Sequence, residues 1–370
     1  MGFHICITNE KALPISIKKG IYGNVGNGNE NRSTLWGKIK DLYAVKPGDL
    51  ILLYAKHPLS QFYGVYEVTT LPYICYDTVF KDDTECYPFR FNFKIKFYFP
   101  NTVPAFEFYS LIESNKIDSL ISLSRDVNSS YRGIRQLFES EFQEILHQFY
   151  KYNPKTNPTD FIQIPSPKLK LEKIESRLFK AEDIENYSTP TELIFNQIPS
   201  ENGCAILEDV LHAYIVYNVL HNSNSVRDKL GLVNFNELIL EAPVFKSMQF
   251  RSDILATFKQ EGRVYYYSFF ELKKNTKIGI EEISQLIGYL KSFAASKSLP
   301  VNSYEGVYIS TNFSSELIDY LTKRKIVEKE NIISLFIYSV DKKGYVTLDK
   351  KIWLQEIKAN GVKYMFSSNY

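Results

Sequence analysis

Cysteine is scarce in this sequence, and its spacing does not fit a zinc motif or a disulfide framework. The chain has four cysteines in 370 residues, and none belongs to a Cys-x-x-Cys pair. Structural zinc sites use closely spaced Cys and His ligands, so the usual zinc motifs are excluded. Sparse cysteine is typical of the reducing cytoplasm, where we expect the protein to be. The histidines are also scattered, with no triad or metal-ligand spacing: His4, His57, His147, His212 and His221.

The sequence also has no signal-peptide pattern, no apolar run of membrane-spanning length and no excess of charge of one sign. No apolar run is as long as a bilayer-crossing helix, and the start lacks the basic-then-apolar pattern of a signal peptide. The net charge is only +2. A protein that binds nucleic acid by electrostatics alone is usually far more basic. Nucleic-acid binding would therefore depend on local surfaces, and no membrane partner is expected.

Apolar and aromatic residues are abundant, which favours more than one hydrophobic core. They make up 44% and 15% of the chain, respectively. A chain of this length usually divides into domains, because single cores stop growing at a few hundred residues. The predicted divisions are a first domain at 1–150, a proline-rich linker at 151–189, a second domain at 190–350 and a tail at 351–370.

The first domain is predicted to be a small β-rich α+β barrel closed by a helix. Alternation of β-branched and aromatic residues predicts strands at Phe3–Thr8, Asp49–Ala55, Phe62–Val68 and Phe91–Phe97. Residues 131–150 have helical spacing, with Ile134, Leu137 and Phe142 on one face. We therefore expect one helix to cover the whole of that segment.

The second domain is predicted to have an α/β fold. An apolar helix is expected at 203–220, and a further helical stretch, in the linker, near Leu171–Phe179. The elements expected after the first helix are strands near 237–241, 249–258 and 264–273, a helix at 280–296, a strand at Gly306–Ser310, a helix near 314–324 and a strand at Ile332–Val340. This order predicts a mixed sheet flanked by helices on both faces.

Two acids and a lysine stand out on neighbouring strands of that domain. Asp253 lies inside an apolar strand, whereas Glu271 and Lys273 end the next one. Residues 259–263 suit a hairpin turn, so the two carboxylates can approach each other. Glu271 and Lys273 are two apart and share a face of the strand, while Leu272 points into the core. Burying such groups is costly unless they are paired or bind a metal, which suggests a function.

The chemistry of these residues suits phosphodiester cleavage. That reaction needs a hard cation, a positioned water and charge compensation at phosphorus. Asp253 and Glu271 offer oxygen ligands that suit Mg²⁺, with Mn²⁺ as a substitute, and the Leu272 carbonyl can face the same ion. Lys273 can orient the attacking water or stabilise the developing negative charge. A short E-x-K motif alone is more often a Glu–Lys pair on a surface hairpin than a catalytic site. The residues that flank the motif are therefore needed to choose between these two interpretations.

With its flanks, the region from about 200 to 340 resembles the RecB-like branch of the PD-(D/E)XK nuclease superfamily. The resemblance implies that Glu208, on the first helix, faces the catalytic site. It also implies that Gln285 and Tyr289, which match a Q-x-x-x-Y motif on the helix after the E-x-K strand, reach the site or the phosphate backbone. A helix-capping amide and a core tyrosine are the alternative for this pair.

Within that branch, the region looks most like the C-terminal domain of the NucS-type mismatch endonucleases. Those enzymes also have an Asp strand, an E-L-K strand and a Q-L-x-x-Y helix at similar spacing. Arg251 and Ser252 stand before Asp253 where that group often has Gly and Ile. This difference leaves the catalytic residues intact, but it weakens the inference that the substrate is the same as that of the NucS-type enzymes.

Three segments of the first domain follow one another in an order that is typical of a known group of domains. Trp36 lies in a polar stretch expected to be irregular, the K-P-G-D turn leads into the strand ending at Tyr54, and Gln61–Val68 follows. This order resembles the PUA-like group that includes EVE and YTH domains. The resemblance implies a pocket that takes a flipped, often modified, base between aromatic side chains. The candidate base-binding residues are Trp36, Tyr54, Tyr63 and Ser33, with packing of the barrel core as the alternative for the aromatics.

The two resemblances together predict a two-domain DNA endonuclease. A modification-dependent restriction enzyme would read a base with the first domain and cut with the second. A repair-type nuclease for mismatched or branched DNA is the nearest variant. A non-catalytic nucleic-acid binder, of RNA for example, and a subunit of a larger restriction complex are the other classes. A homodimer is a candidate assembly, because cutting both strands usually needs two active sites.

Overall fold

The computed structural model describes residues 1–26, 31–80, 86–97, 99–114, 133–154, 197–221, 225–243, 251–274, 277–300, 303–327, 332–351, 357–359 and 362–364. The chain divides into two units, Met1–Phe195 with Leu220–Asn222, and Asn196–Val219 with Ser223–Tyr370. The predicted linker lies outside the described residues from 155 onward, and so does the helix expected near 171–179. No helix in these ranges is long and apolar enough to cross a membrane.

The first unit contains four described helices around one mixed sheet. Its helices are α1 (Ala12–Lys19), α2 (Arg32–Tyr43), α3 (Phe106–Glu113) and α4 (Glu139–Tyr152). Its strands are β1 (Phe3–Thr8), β2 (Ile21–Asn24), β3 (Leu50–Ala55), β4 (Gln61–Val68), β5 (Tyr73–Ile74), β6 (Phe89–Phe97), β7 (Val103–Pro104) and β8 (Ile134–Leu137). The four strands expected from sequence alternation are thereby confirmed.

The sheet of the first unit curls so that a side chain of one end strand reaches the residue before the other end strand. Its order is β2-β6-β4-β3-β1-β8, with β1 and β3 parallel and the other neighbours antiparallel. The Tyr22 hydroxyl on β2 lies 2.6 Å from the carbonyl oxygen of Gly133, directly before β8. A Cβ on Gly133 would lie only 2.5 Å from that hydroxyl, so only glycine permits this approach. The contact between the end strands gives the sheet a barrel-like form.

The segment 131–150 is not one helix, which corrects the expectation from its spacing. Its described part begins as β8, which pairs antiparallel with β1, before α4 starts at Glu139. The Glu141 carboxylate accepts a hydrogen bond of 2.9 Å from the Phe138 N–H and caps the helix there. Ile134 and Leu137 are buried in β8, and their three-residue spacing would also put them on one face of a helix, so apolar spacing alone could not separate strand from helix.

Trp36 lies on a helix, which corrects the expectation of an irregular stretch. The Asn31 side chain accepts a hydrogen bond from the Thr34 N–H at 2.8 Å, which caps the N-terminus of α2. The polar residues that suggested a loop are therefore the first turn of a helix. Trp36 itself is partly exposed on the second turn.

The second unit contains four described helices and a larger sheet. The helices are α5 (Glu208–Leu220), α6 (Ser225–Lys229), α7 (Ile280–Lys297) and α8 (Ser315–Val327). The strands are β9 (Ser200–Glu201), β10 (Cys204–Ala205), β11 (Glu237–Pro243), β12 (Arg251–Gln260), β13 (Arg263–Leu272), β14 (Lys277–Ile278), β15 (Tyr304–Ser310), β16 (Asn312–Phe313), β17 (Ile333–Val340) and β18 (Val346–Lys350). In the predicted tail, β19 (Ile357–Ala359) pairs with β20 (Val362–Tyr364).

The main sheet of the second unit has the order β11-β12-β13-β15-β17-β18. Strands β13, β15 and β17 are parallel because α7 and α8 form the crossovers between them, and the outer pairs are antiparallel. The expected order of helices and strands is confirmed, with α6, β14, β16 and β18 in addition. The helix expected from 203 starts only at Glu208, because a β9–β10 hairpin turns at Asn202 and Gly203, whose φ angles are positive.

Helix α7 lies close to the centre of this sheet. A Cβ on Gly306 of β15 would come within 2.9 Å of Leu286 and Leu290 on α7 and of Ile333 on β17. The Phe293 ring of α7 packs edge-on against Phe269 of β13, with ring centroids 4.9 Å apart. These contacts fix the helix over the strand that carries the predicted catalytic glutamate.

Candidate functional site

Three carboxylates of the second unit occupy one row across neighbouring strands. Glu241 lies between Leu240 and Ala242, which pair with Ile254 and Ser252 on either side of Asp253. The pairing of β12 with β13 begins with Ile254 opposite Phe270, so Asp253 and Glu271 are the next residues of the two strands. Tyr308 continues the row, because it pairs with Glu271 across β13 and β15. Side chains opposite each other on adjacent strands share a face of the sheet. The row therefore gathers acidic side chains that are far apart in the sequence.

Backbone and side-chain hydrogen bonds fix the centre of the row. Asp253 accepts a hydrogen bond at Oδ2 from the Leu272 N–H at 2.7 Å. The Lys273 N–H donates to the carbonyl oxygen of Ile309 at 2.9 Å, which carries the strand pairing one residue past β13. Leu272 is 0% exposed, as the alternation of β13 predicted. Lys273 and Glu271 are thereby held on the opposite face from Leu272.

Helix α5 contributes a partner for the lysine. Lys273 Nζ lies 3.2 Å from Oε1 of Glu208, the first residue of α5. Both side chains are partly exposed, so this ion pair is accessible to solvent. The structure therefore brings together Asp253, Glu271, Lys273 and Glu208, four of the six residues that the sequence assigned to the catalytic site.

Burial and mutual repulsion raise the pKa values of the two central acids. Burial raises the pKa of Asp253 to about 7, although the Leu272 N–H and Lys273 act to lower it. Burial and then the charge of Asp253 raise the pKa of Glu271 to about 9. Glu208 and Glu241 repel both carboxylates further. Within the described part of the chain, Lys273 is the cation that opposes these four carboxylates, so the acids outnumber it.

The same charges act on Lys273 and Tyr308. Burial would lower the pKa of Lys273, but Asp253 and Glu208 outweigh it and hold the pKa above its usual range. Lys273 therefore stays cationic at neutral pH. Burial, followed by the charge of Glu271, raises the pKa of the Tyr308 hydroxyl, so that this group stays protonated.

A histidine and a further glutamate belong to this site but were not found from the sequence. One potential ligand atom each from His212, Glu241 and Asp253 lies within 4.8 Å of the others. His212 is 2% exposed. This grouping corrects the expectation that the histidines have no metal-ligand arrangement. The available signal was the four-residue spacing of Glu208 and His212, which puts both on one face of α5.

The residues of this cluster fit a divalent cation. Carboxylate oxygens are the ligands that Mg²⁺ and Mn²⁺ prefer, and imidazole nitrogen is accepted by first-row transition ions. A cation would also relieve the repulsion that raises the pKa values of Asp253 and Glu271. The donor set and the surplus charge therefore agree on the kind of ligand.

Gln285 and Tyr289 lie one turn apart on α7, as their spacing predicted. The Gln285 side-chain amide donates a hydrogen bond to the Tyr289 hydroxyl. Gln285 is exposed and Tyr289 is partly buried. Their expected role at the active site or the phosphate backbone stays a prediction.

The candidate base-binding residues of the first unit differ in accessibility. Ser33 is exposed and Trp36 partly exposed, both on α2. Tyr54 is 1% exposed, and its ring lies 4.8 Å from that of Phe62 inside the main core. Tyr63 is also buried, and burial raises its pKa to about 12. Of the four, Ser33 and Trp36 are the ones that a ligand can reach without displacing the core.

Comparisons of sequence identify no family for this chain. No family model matches it, and no curated protein matches it either.

Several solved structures are similar to about two fifths of the chain. Human THYN1, solved in complex with DNA containing 5-methylcytosine, is 12% identical with a TM-score of 0.30, covering 43% of this chain and 100% of that one. The YTH domain of the Zygosaccharomyces rouxii MRB1 protein, in complex with N6-methyladenosine RNA, is 14% identical with a TM-score of 0.24, covering 40% and 83%. Agrobacterium tumefaciens Atu2648 is 16% identical with a TM-score of 0.28, covering 43% and 99%. At these TM-scores the likeness establishes no shared family and no shared ligand.

Proposed function

We propose that the second unit is a metal-dependent deoxyribonuclease that hydrolyses phosphodiester bonds. The observation that carries the proposal is the meeting of Asp253, Glu271 and Lys273 on one face of neighbouring strands, with Lys273 3.2 Å from Glu208. Acids with raised pKa values beside a cationic lysine are typical of catalytic sites.

Each residue has a separate part in this chemistry. Asp253 and Glu271, with the Leu272 carbonyl, would hold Mg²⁺ or Mn²⁺, which supplies Lewis-acid activation of the phosphate and of the attacking water. The Leu272 N–H keeps the Asp253 carboxylate oriented. Lys273 stays protonated and can donate to the water or to the phosphate oxygen that gains charge. Glu208 holds the ammonium group of Lys273 in place.

A cleavage assay on the full chain tests the proposal. Plasmid and linear DNA would be incubated with Mg²⁺, Mn²⁺ or EDTA. We expect cleavage with either ion and none with EDTA, and a loss of at least about 10²-fold in Asp253→Asn, Glu271→Gln and Lys273→Met. Glu281→Gln, an exposed glutamate on α7, is the matched control. A Lys273→Met protein that cuts at the wild-type rate would rule the assignment out.

The substrate panel separates the neighbouring functions. It contains methylated, unmodified, mismatched, branched and single-stranded DNA, together with RNA. Cleavage only of mismatched or branched DNA would favour a repair-type nuclease over a restriction enzyme. Tight binding without cleavage of any substrate would favour a non-catalytic nucleic-acid binder.

We further propose that the first unit reads a modified base, as a modification-dependent restriction enzyme requires. The support is the order of sequence segments shared with EVE and YTH domains and a partly exposed Trp36 on α2. An aromatic face can stack on an extruded base and recover part of the cost of extrusion. Trp36 with Ser33 nearby is the accessible pair for that role.

Binding titrations test the base-reading role. Duplexes with 5-methylcytosine or N6-methyladenine would be compared with an unmodified duplex. Trp36→Ala should weaken binding of the preferred duplex by roughly one to two orders of magnitude, because stacking contributes about 1–3 kcal/mol. Binding of the unmodified duplex should hardly change, because phosphate contacts carry it. Tyr76→Ala, which removes a 71% exposed aromatic of the same unit, is the control. Equal losses for both duplexes would contradict base reading by Trp36.

A further inference from the structure

We propose that Ser252 is a positioning residue of the second unit, and that its hydroxyl fixes the direction of the Glu271 side chain. The inference rests on the proposed nuclease function, because it assigns a new residue to that site. Arg251 and Ser252 stand directly before Asp253, where the NucS-type enzymes often have Gly and Ile. Neither glycine nor isoleucine has a side-chain hydrogen-bond donor, so the hydroxyl distinguishes this chain from that pattern.

Strands β12 and β13 separate beside the two central acids. Among the described residues of these strands, the pairing ends with Ile254 opposite Phe270. Beyond that pair, β12 remains paired with β11 as far as Arg251, and β13 remains paired with β15 as far as Leu272. Each strand therefore follows its outer neighbour, and a gap opens in the ladder at the level of the acids.

Two consecutive side chains of β12 bridge this gap. The Ser252 hydroxyl donates to the carbonyl oxygen of Phe270 at 3.0 Å, and the Asp253 carboxylate accepts from the Leu272 N–H at 2.7 Å. The first bond holds the peptide group before Glu271, and the second holds the peptide group after it. Successive side chains of a strand point to opposite faces, so the backbone of Glu271 is held from both faces of the sheet.

The Ser252 hydroxyl is also tied to its own strand. Its oxygen lies 2.8 Å from the carbonyl oxygen of Ile254, so its one proton is shared between a carbonyl group of β12 and a carbonyl group of β13. Ser252 is 1% exposed, so these bonds are shielded from water. The hydroxyl therefore links the two strands at the place where the ladder no longer does.

This link matters because the direction of a ligand decides how well it holds an ion. Mg²⁺ demands a near-ideal octahedral geometry, so a small rotation of the Glu271 carboxylate would weaken binding. Groups that orient a metal ligand typically contribute roughly 10- to 100-fold to metal affinity or to activity. We therefore expect Ser252 to act on the reaction through Glu271, without contact with the substrate.

Hydrogen exchange of the ion-free full chain, followed by mass spectrometry, tests the bridge itself. In Ser252→Ala, the amide of Leu272 should exchange roughly 5- to 10-fold faster than in the wild type, because the loss of a buried hydrogen bond makes local opening easier. Ser252→Thr keeps the hydroxyl and should exchange like the wild type. Unchanged exchange at Leu272 in Ser252→Ala would overturn the bridge.

Ser268→Ala is the matched control for this comparison. Ser268 is also 1% exposed and lies on β13, but its hydroxyl donates to Glu305 on β15 at 2.8 Å and does not cross the gap. This variant should leave exchange at Leu272 unchanged. Should Ser252→Ala fail to fold, Ser252→Cys replaces it, because a thiol has nearly the same size but is a weaker donor.

Titration with Mn²⁺ alone and the kinetics of cleavage test the positioning role. Ser252→Ala should bind Mn²⁺ roughly 10-fold more weakly and lower kcat roughly 10- to 100-fold, with KM for DNA unchanged. In a Glu271→Gln protein, Ser252→Ala should cause little further loss of Mn²⁺ affinity, because the ligand that it orients is already changed. Wild-type affinity and kcat in Ser252→Ala would overturn the role of Ser252.

The ion titration also separates this inference from the proposed function. If the wild type cuts no substrate, the nuclease proposal fails, while weaker Mn²⁺ binding in Ser252→Ala but not in Ser268→Ala still supports the positioning of Glu271. Equal Mn²⁺ binding in these two variants would overturn it. A wild type that binds no Mn²⁺ would reject both.

Discussion

Asp49 connects three parts of the first unit through one buried carboxylate. It is 1% exposed and accepts hydrogen bonds from the Gly2 N–H, from His4 Nε2 at 3.0 Å and from the Lys46 N–H at 3.1 Å. These bonds to His4 and the backbone oppose burial and lower the pKa of Asp49. A carboxylate is suited to this place because it only accepts hydrogen bonds.

We expect Asp49→Asn to lower the free energy of unfolding by about 3–5 kcal/mol, since an amide would turn a donor toward the groups that donate now. Chemical denaturation followed by tryptophan fluorescence measures it. Glu67→Gln is the control, because Glu67 pairs with Lys94 and Lys96 at the surface and should cost less than about 1 kcal/mol. Equal losses in the two variants would contradict the role of Asp49.

The raised pKa of Glu271 predicts how stability depends on pH in the cation-free protein. Folding raises the pKa of Glu271 from its ordinary value of 4.5 to about 9. Between these two pH values, Glu271 is ionised in the unfolded chain but protonated in the folded protein. The contribution of Glu271 to the free energy of unfolding is therefore fully present below about pH 4.5 and is lost as pH rises toward 9.

Thermal unfolding in EDTA should therefore show the melting temperature of the wild type falling relative to that of Glu271→Gln as pH rises from 5 to 9. Addition of Mn²⁺ at the upper end should restore the wild type more than the variant, because the ion binds the ionised carboxylates. A constant difference between the two proteins across this range would show that Glu271 has no raised pKa.

At the scale of elements, the contact of α7 with the sheet can be tested by two glycines. A Cβ on Gly306 would come within 2.9 Å of three side chains, whereas a Cβ on Gly288 of α7 would meet nothing within 4 Å. Gly306→Ala should therefore destabilise by about 1–3 kcal/mol through overpacking. Gly288→Ala should stabilise by roughly 0.5–1 kcal/mol, because alanine is the better helix former. Denaturant midpoints of both variants measure the pair, and the same sign in both would refute the packing described here.

The strands were predictable where one period dominates the sequence. Strands β1, β3, β4 and β6 of the first unit and β12, β13 and β17 of the second carry alternating or continuous apolar residues, and each lies within a few residues of its expected place. Segments whose apolar residues satisfy two periods were not predictable. Ile134 and Leu137 fit one face of a helix, but the segment forms a strand because it pairs with β1. Helix α2 was missed because its polar first turn resembles a loop.

The residues of the candidate site likewise fall into those that the sequence predicted and those that it did not. Asp253, Glu271 and Lys273 were found because a single hairpin joins them, and the spacing of β13 fixes which side chains share a face. Glu241 and His212 were not found, because their approach to Asp253 depends on the register of β11 with β12 and on where α5 lies. Such relations between distant segments are set by tertiary packing, and the four-residue spacing of Glu208 and His212 was the one local pattern that pointed to them.

At the scale of the whole molecule, each unit has its own sheet and its own buried residues. We therefore expect two transitions in scanning calorimetry of the full chain. Asp49→Asn should lower the midpoint of one, and Gly306→Ala should lower the midpoint of the other. A single transition that both variants shift would contradict separate unfolding of the two units.

The contact between β2 and β8 has a consequence for solubility. Strand edges that are left open expose backbone donors and acceptors to which a second chain can add a strand. In the first unit, the hydroxyl of Tyr22 on end strand β2 hydrogen-bonds the carbonyl oxygens of Gly133, directly before end strand β8, and of Ile7 on β1, which pairs with β8. Tyr22→Phe keeps the ring but loses both hydrogen bonds, so the two ends of the sheet should separate more often. We expect faster growth of light scattering on mild heating, because separated end strands can recruit other copies of the chain into β-aggregates.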